Sequence, residues 1–490
     1  MGLLLGIDVG SQSLKAVLLD ERLRLLGSGR QHYPIAFPRP GWAQQDPAFW
    51  EAALAPAIAQ ALAAAGRRPQ DVGALGLAGQ LDGAIAAAAD GRPLHPCLIW
   101  MDRRAESSLD RVRRRIAPAT VRARTGANLD GGHMAPKIRW LLDEAPAARA
   151  AVVFHQPVSY LVERLTGERV IDHGLASTSL VYDLATGDWA DDLLAAFEIE
   201  RRLLPPLAPS EAQAGRLGPA GARLTGLHAG LPVAVGTGDD FSTPLGGGVM
   251  RRGVVANLLG TAEVVGALHD RPAIDPSGLT ETHRYVGTGF YYVENPGWVS
   301  GGAVEWLRAI LGLPDFATFD RLAAAVPPGS DGLVFLPALT GAMTPEWVAG
   351  ARGCFYGLTP AHGPGHLARA VLEGNAFGLM DVVLALDAMG VAASRLRALG
   401  GGARSDLWIK IRADLTGRPV ERAAMGDSSA VGAALLAAVA GEAMPDLATA
   451  AAELEAGGAV VEPDPGAAAA YAEAHDRYRR LFAALKPMFA

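Results

Sequence analysis

Cysteine is nearly absent from this chain. Two occur in 490 residues, Cys97 and Cys354, far apart and with no His or Cys at ligand spacing. That excludes a disulfide framework and a structural zinc site. An excess of positive charge is also missing: 44 Lys and Arg stand against 51 Asp and Glu, a net charge of -7. No broad positive field is therefore offered to nucleic acid or to an anionic membrane. The basic cluster MDRRAESSLDRVRRRIAPATVRAR is interspersed with acids and reads as the solvated face of a helix. No apolar run reaches the roughly 18 residues of a membrane span, and the start lacks the basic segment and apolar core of a secretory signal. MGLLLG misses the myristoylation pattern because its sixth residue is Gly. The expectation is a cytoplasmic protein with neither a membrane nor a nucleic-acid partner.

What is present is length and apolar content. With 490 residues, half of them hydrophobic, the chain can build two large cores. Its opening, LGIDVGSQSLKAVLLDE, places Asp8, Gly10, Ser11 and Ser13 between two apolar runs and reads as strand, tight turn, strand. Such a turn offers N–H groups and hydroxyls to a phosphate, and its carboxylate can hold a cation directly or through water. The same residues would also stabilise an ordinary hairpin turn. A helix is expected from near Asp46, then a strand through DVGALGLAG that ends in the polar loop Gln80–Gly83. AIAAAADGRPLHPCLIWMDRR reads as a hairpin turning at Asp90-Gly91 and ending near Trp100, Asp102 and Arg103. Helical segments follow from about Arg103 to Thr125, interrupted near Pro118, and from Ala135 to Leu142. Polar residues thus gather at strand ends, where α/β proteins place ligands.

In the middle, LPVAVGTGDDFSTPLGGGV is a strand ending in glycines and the paired acids Asp239 and Asp240. Directly after it, GVVANLLGTAEVVGALHD repeats the opening layout around Gly260 and Thr261. Two similar domains are expected, residues 1–245 and 246–490, with a hinge near GGGVMRRG at 246–253. The second half continues with a long helix from about Gly363, then a strand, the run Gly400, Gly401, Gly402, Ala403 and a helix. SSAVGAALLAAVAG is a further helix, and the biased stretch after it reads as helix and surface loop.

Four of these pieces together resemble the FGGY family of carbohydrate kinases, most closely its xylulokinases. GIDVGSQSLKAVLLD is similar to the family's first phosphate motif, GTGDD to the loop bearing the catalytic base, and LGGGARSDLW to its adenosine motif. GCFYGLTPAHGPGHLARAVLE matches the C-terminal signature at Gly353, Phe355, Gly357, Leu358, His366, Leu367, Ala370 and Glu373. The resemblance implies an α/β fold of two ribonuclease-H-like domains, as in actin and Hsp70, closing over ATP, Mg²⁺ and a small sugar or polyol. It implies Asp239 as the base, with Asp8 and Asp239 reaching magnesium through water. Gly10, Ser11, Ser13, Gly260 and Thr261 would meet phosphates, with Lys15 a further charge or a solvent-facing strand residue. Gly400 to Ala403 would pass close to the adenosine, beside Arg404 and Asp406. Gln80, Asp82, Trp100, Asp102, Arg103, Asp239 and Asp240 would meet the substrate, Trp100 being equally readable as core.

Three departures bear on substrate. Xylulokinases typically show Gln-Met-His-Gly where this chain has Gln80-Leu81-Asp82-Gly83, and Asn where it has Asp240. TGAMTPEW lacks their Gly-Glu-Arg. An acid in the first loop is similar to glycerol kinases. The expectation is a ketopentose kinase with D-xylulose as the first candidate, a kinase of a pentitol, erythritol or glycerol as the second, and an actin-like ATPase switch as the third. Dimers are frequent in the family, and no exposed stripe in the sequence names an interface.

Overall fold

The computed structural model describes residues 2–287, 289–455 and 458–489. Two seven-stranded sheets organise them. The first runs Gln213–Arg216, Pro232–Ala234, Val72–Gly79, Leu3–Val9, Ser13–Leu19, Leu25–His32, with Thr237–Gly238 added beside Val72–Gly79. The second runs Glu281–Arg284, Tyr291–Val299, Ala262–His269, Val254–Leu259, Arg395–Leu399, Val420–Arg422, Val460–Val461. In each, an antiparallel hairpin supplies the central strands, and its first strand takes a parallel neighbour from much later in the chain. This shared order is the ribonuclease-H-like arrangement of actin and Hsp70. The biased stretch is less uniform than its composition suggests: Leu447–Glu455 is helical, 456–457 lie outside the described residues, and Val460–Val461 joins the second sheet.

The hairpin expected at Asp90-Gly91 is only partial. Ala88 and Arg92 close the turn and single bridges join Ala87 to Pro93 and Ala84 to Leu98, but Ile85–Ala87 takes its main partner from Val153–His155. Pro93 and Pro96 deny the returning segment ladder donors.

Pro47–Ala65 begins at the Asp46 cap, whose carboxylate accepts from Ala48 N at 3.0 Å. Among the described residues it is the one helix long and apolar enough, by length and composition, to cross a membrane, a test that a core helix also passes. Its Glu51 and Gln60 interrupt the apolar run, so counting uninterrupted residues misses it. One face is core: Trp50, Leu54, Ile58 and Ala61 are buried. The strand Leu25–His32 lies so near that a Cβ on Gly29 would come 2.1 Å from Ala57 O.

One helix from the second half packs on the first sheet. Along Ser428–Ala440 the backbone meets Gly6 and Gly76, where an added Cβ would lie 1.9 Å from Ala430 O and 1.9 Å from Ala433 O. These positions need glycine for close approach, and they merge the helix into the core under the opening hairpin.

Candidate active site

The first turn is built as the sequence implies. Asp8 faces Lys15 across the hairpin, and Gly10 N donates to Ser13 O at 3.1 Å to close it. Tyr33 OH donates to Gly10 O at 2.6 Å and Gln45 Nε2 to Ser11 O at 2.6 Å, so the turn's carbonyls are held from outside. Ser11 Oγ accepts from Trp100 Nε1 at 2.8 Å, with the indole 44 % exposed, which places Trp100 at the turn and not in the core. Gln80 Nε2 donates to Gln45 Oε1 at 2.8 Å, leaving Gln80 Oε1 buried without a partner.

Asp8 is buried, with Oδ2 3.5 Å from Lys15 Nζ and Oδ1 unpartnered. Burial raises its pKa, against the pull of Lys15. Lys15 is also 3.6 Å from Asp427, which accepts from Arg30 at 3.1 Å, so two cations of the first sheet meet one acid of the second half.

Asp239 and Asp240 open the helix Asp239–Gly246, following the strand end Thr237–Gly238. Thr237 Oγ1 donates to Asp172 at 2.7 Å, which pins that strand end. Both acids are partly buried. Burial, then the neighbouring charges of Asp240 and Asp8, push the Asp239 carboxyl well above the usual range, and burial pushes Asp240 up to about 7. Asp8, Asp239, Asp240 and Asp82 thus lie within reach of one another's charges as one acidic cluster.

Asp82 sits at φ 57°, a left-handed conformation that a non-glycine residue adopts at a cost. Its N–H donates to Gln156 Oε1 at 2.8 Å, and Lys137 Nζ donates to its carbonyl at 2.8 Å. That lysine is fully buried and pushed down to about 8 by burial. The Asp82 carboxylate so held lies 3.2 Å from His133 Nδ1, while Oδ1 has no partner.

Two further expected substrate residues are engaged by protein partners, though both lie within charge reach of the Lys137 that holds Asp82. Asp102 is wholly buried, and its oxygens accept from Ala43 N at 2.6 Å, Arg104 N at 3.0 Å and Arg104 Nε at 2.9 Å. It anchors the Arg104 guanidinium that stacks on Trp42. Arg103 is half exposed and pairs with Asp130 over Gly132.

The second turn, Gly260-Thr261, is exposed between Leu259 and Ala262, and Thr261 O accepts from Ser300 N and Gly302 N, both at 3.0 Å. Gly400 packs against it: at φ 86°, its added Cβ would lie 2.8 Å from Leu259 O. The run Gly400, Gly401, Gly402, Ala403 and the second turn are therefore neighbours. Arg404 is exposed, and Asp406 heads the following helix and pairs with Arg422. Glu373 of the C-terminal signature is structural, accepting from Arg369, Ser330 and Gly329.

Sequence reasoning missed His133, Glu281, His283, Tyr292 and Glu294, which line the cleft opposite Asp82 and Asp240. The available signal was charge at alternate positions of apolar strands, Glu281 with His283 and Tyr292 with Glu294.

Two sheets of one strand order, each ending in a hydroxyl-bearing hairpin turn, with an acidic cleft between, define a nucleotide-dependent phosphotransferase of the ribonuclease-H-like class. The chain belongs to the FGGY family of carbohydrate kinases: the family's N-terminal domain matches residues 3–246 and its C-terminal domain 255–441. It is 34 % identical to the glycerol kinase of Paracidovorax citrulli over 465 residues, covering 89 % of this chain and 90 % of that one. A xyloylose kinase from Brucella ovis superposes with TM-score 0.91 at 31 % identity, covering 99 % and 100 %. The xylulose kinase of Rhodospirillum rubrum does so with TM-score 0.90 at 31 % identity, covering 99 % of each chain.

Proposed function

We propose that this kinase transfers the γ-phosphoryl group of ATP to a hydroxyl of a small, uncharged ketopentose, D-xylulose being the first candidate. The observation that carries the reading is Asp239 at the head of its helix, sharing one cleft with Asp8 and with the strand-end residues Gln80, Asp82 and Trp100. Asp239 accepts the hydroxyl proton. Its weakness as a base for a free alcohol matters little, because a loose transition state makes that proton acidic late in transfer. Gly10, Ser11, Ser13, Gly260 and Thr261 hold phosphates, and Gly400, Gly401, Gly402 and Ala403 accommodate the adenosine. Residues 1–245 then carry the sugar site and 246–490 the adenosine site.

Asp8, with its buried unpartnered Oδ1, and Asp239 fit Mg²⁺ held through water. Bound there, the ion would neutralise phosphate charge. Closely set acids make an aldonate a poor acceptor, since a further negative charge would enter a site where burial already opposes carboxylate charge.

A polyol acceptor is the second reading, favoured by Asp82, whose free oxygen accepts from a hydroxyl but repels a carbonyl oxygen, and by the glycerol kinase relatives. Magnesium-dependent ADP formation across ketopentoses, pentitols, erythritol and glycerol separates the two. Turnover confined to ketopentoses supports the first, turnover confined to polyols the second, and an ADP rate indifferent to the added compound would sink both.

The acids make pH a second test. A base must be ionised, so kcat/KM is expected to fall on the acid side as Asp239 takes up a proton. Asp240→Asn removes the neighbouring charge and should move that limb to lower pH by about one unit. A kcat/KM profile at saturating magnesium checks this, and an unmoved limb would remove Asp239 from the titration.

A further inference from the structure

The strands Glu281–Arg284 and Tyr291–Val299 carry an unusual patch. Glu281 stands directly across from Glu294 in the antiparallel register, and His283 across from Tyr292. With side chains alternating along a strand, these four share one face. All four are buried: Glu281 is 3 % exposed, His283 3 %, Tyr292 0 % and Glu294 2 %. Setting two carboxyls against each other in a buried strand pair is costly, and burial, then the charges of Asp240 and Glu281, push the Glu294 carboxyl well above the usual range, so folding alone does not explain the pair.

The patch is only half satisfied by protein. Glu281 has partners: it accepts from Asn128 N at 2.8 Å and lies 3.7 Å from His133 Nε2 and 3.6 Å from His283 Nε2. The other three each leave an atom buried without a partner, namely His283 Nδ1, Tyr292 OH and Glu294 Oε2. Buried polar atoms normally find partners, so three orphans on one face call for a bound polar group. The face adjoins the acidic cluster: His133 lies 3.2 Å from Asp82 Oδ2 and 3.7 Å from Glu281, and the Phe241 ring, next in the chain to Asp240, packs edge-on against His283 and Tyr292 with centroids 5.9 and 6.3 Å away. Within that cluster, Asp82 Oδ1 is orphaned as well.

We propose that this face of the second sheet is the far wall of the acceptor pocket, where His283 Nδ1, Tyr292 OH and Glu294 Oε2 bind substrate hydroxyls. The inference rests on the kinase reading above and adds who selects the acceptor. An imidazole, a phenol and a carboxyl offer both donors and acceptors, which suits hydroxyl groups, each of which donates one hydrogen bond and accepts others. Glu281 is a positioning residue, holding His133 from one side and His283 from the other. The imidazole missing from the Gln80–Gly83 loop is in this way supplied by other elements. A longer acceptor brings more hydroxyls to this wall than a shorter one, so what the wall contributes should grow with acceptor length.

Tyr292→Phe is the test, because the hydroxyl it removes has no protein partner and the variant should fold at least as well as the parent. For five-carbon acceptors kcat/KM is expected to fall about ten-fold, mostly through KM. For glycerol it should change less than about two-fold, with the Kd for MgADP unchanged. Glu281→Gln, which keeps the shape and removes the charge holding both imidazoles, should lower the five-carbon to three-carbon ratio in the same direction. If Tyr292→Phe leaves that ratio unaltered while the parent turns over the panel, the wall assignment fails and the kinase reading stands. If the parent turns over no member of the panel, the kinase reading fails and takes this one with it.

Discussion

Asp239→Ala is expected to lower kcat/KM for the preferred acceptor by about a thousand-fold, the middle of the range for loss of a positioned general base. The effect should lie in kcat. On the proposed reading, acceptor binding is spread over Gln80, Asp82 and Trp100, and the proposed adenosine loop meets the second turn at Leu259. Asp239 begins a helix, where the N-terminal N–H groups favour its anion, but burial and two neighbouring acids oppose ionisation more strongly. Its carboxyl is thus more basic than that of an exposed aspartate, as suits a group that must take a proton. Asp239→Asn preserves shape and should be nearly as impaired. Steady-state rates with MgADP affinity measured alongside check both. A loss under about ten-fold with unchanged KM would mean that proton removal is not Asp239's role.

Arg412→Met is expected to destabilise the second half by about 4 kcal/mol. Arg412 is fully buried, donating to Glu263 Oε2 at 2.7 Å and to Asn257 Oδ1 at 2.9 Å, with its guanidinium 4.2 Å above the Trp408 ring. Glu263 also accepts from Asn257 Nδ2 at 2.8 Å and Ser300 Oγ at 2.6 Å. Removing the cation strands a buried carboxylate, which costs more than the pair contributes. The double change Arg412→Met with Glu263→Gln should recover over half of the loss, because no uncompensated charge remains. Denaturant unfolding of the three variants checks this. The location matters for activity: Glu263 follows the second turn, and Arg412 lies on the helix Asp406–Thr416 that follows the glycine run. A single variant as stable as the parent would show that this network does not hold the two pieces together.

Much of the nucleotide half is legible in the chain. Gly10, Ser11 and Ser13, like Gly260 and Thr261, advertise their turns through local chemistry, small residues between two apolar runs, and the structure builds hairpins at both. Gly400 to Ala403 reads as a close-approach loop, and Leu259 is indeed what it approaches. The acceptor half is less legible. Asp102 and Arg103 share a strand end with Trp100, yet Asp102 turns inward to Ala43 and Arg104 and Arg103 outward to Asp130, an outcome set by partners 59 and 27 residues away.

Sequence by itself determined the elements whose reasons are local: two strand-turn-strand units, the acidic pair before a helix, capped helices, a glycine run, and through their order the family. Tertiary structure alone decided what faces the acceptor. His133 comes to Asp82 from a helix start some fifty residues later, and Glu281, His283, Tyr292 and Glu294 arrive by strand register in the other sheet. A turn is specified by the residues within it. A pocket wall depends on which faces two sheets present to each other, and only the packing of the whole chain, with Ser428–Ala440 seated on Gly6 and Gly76, sets that.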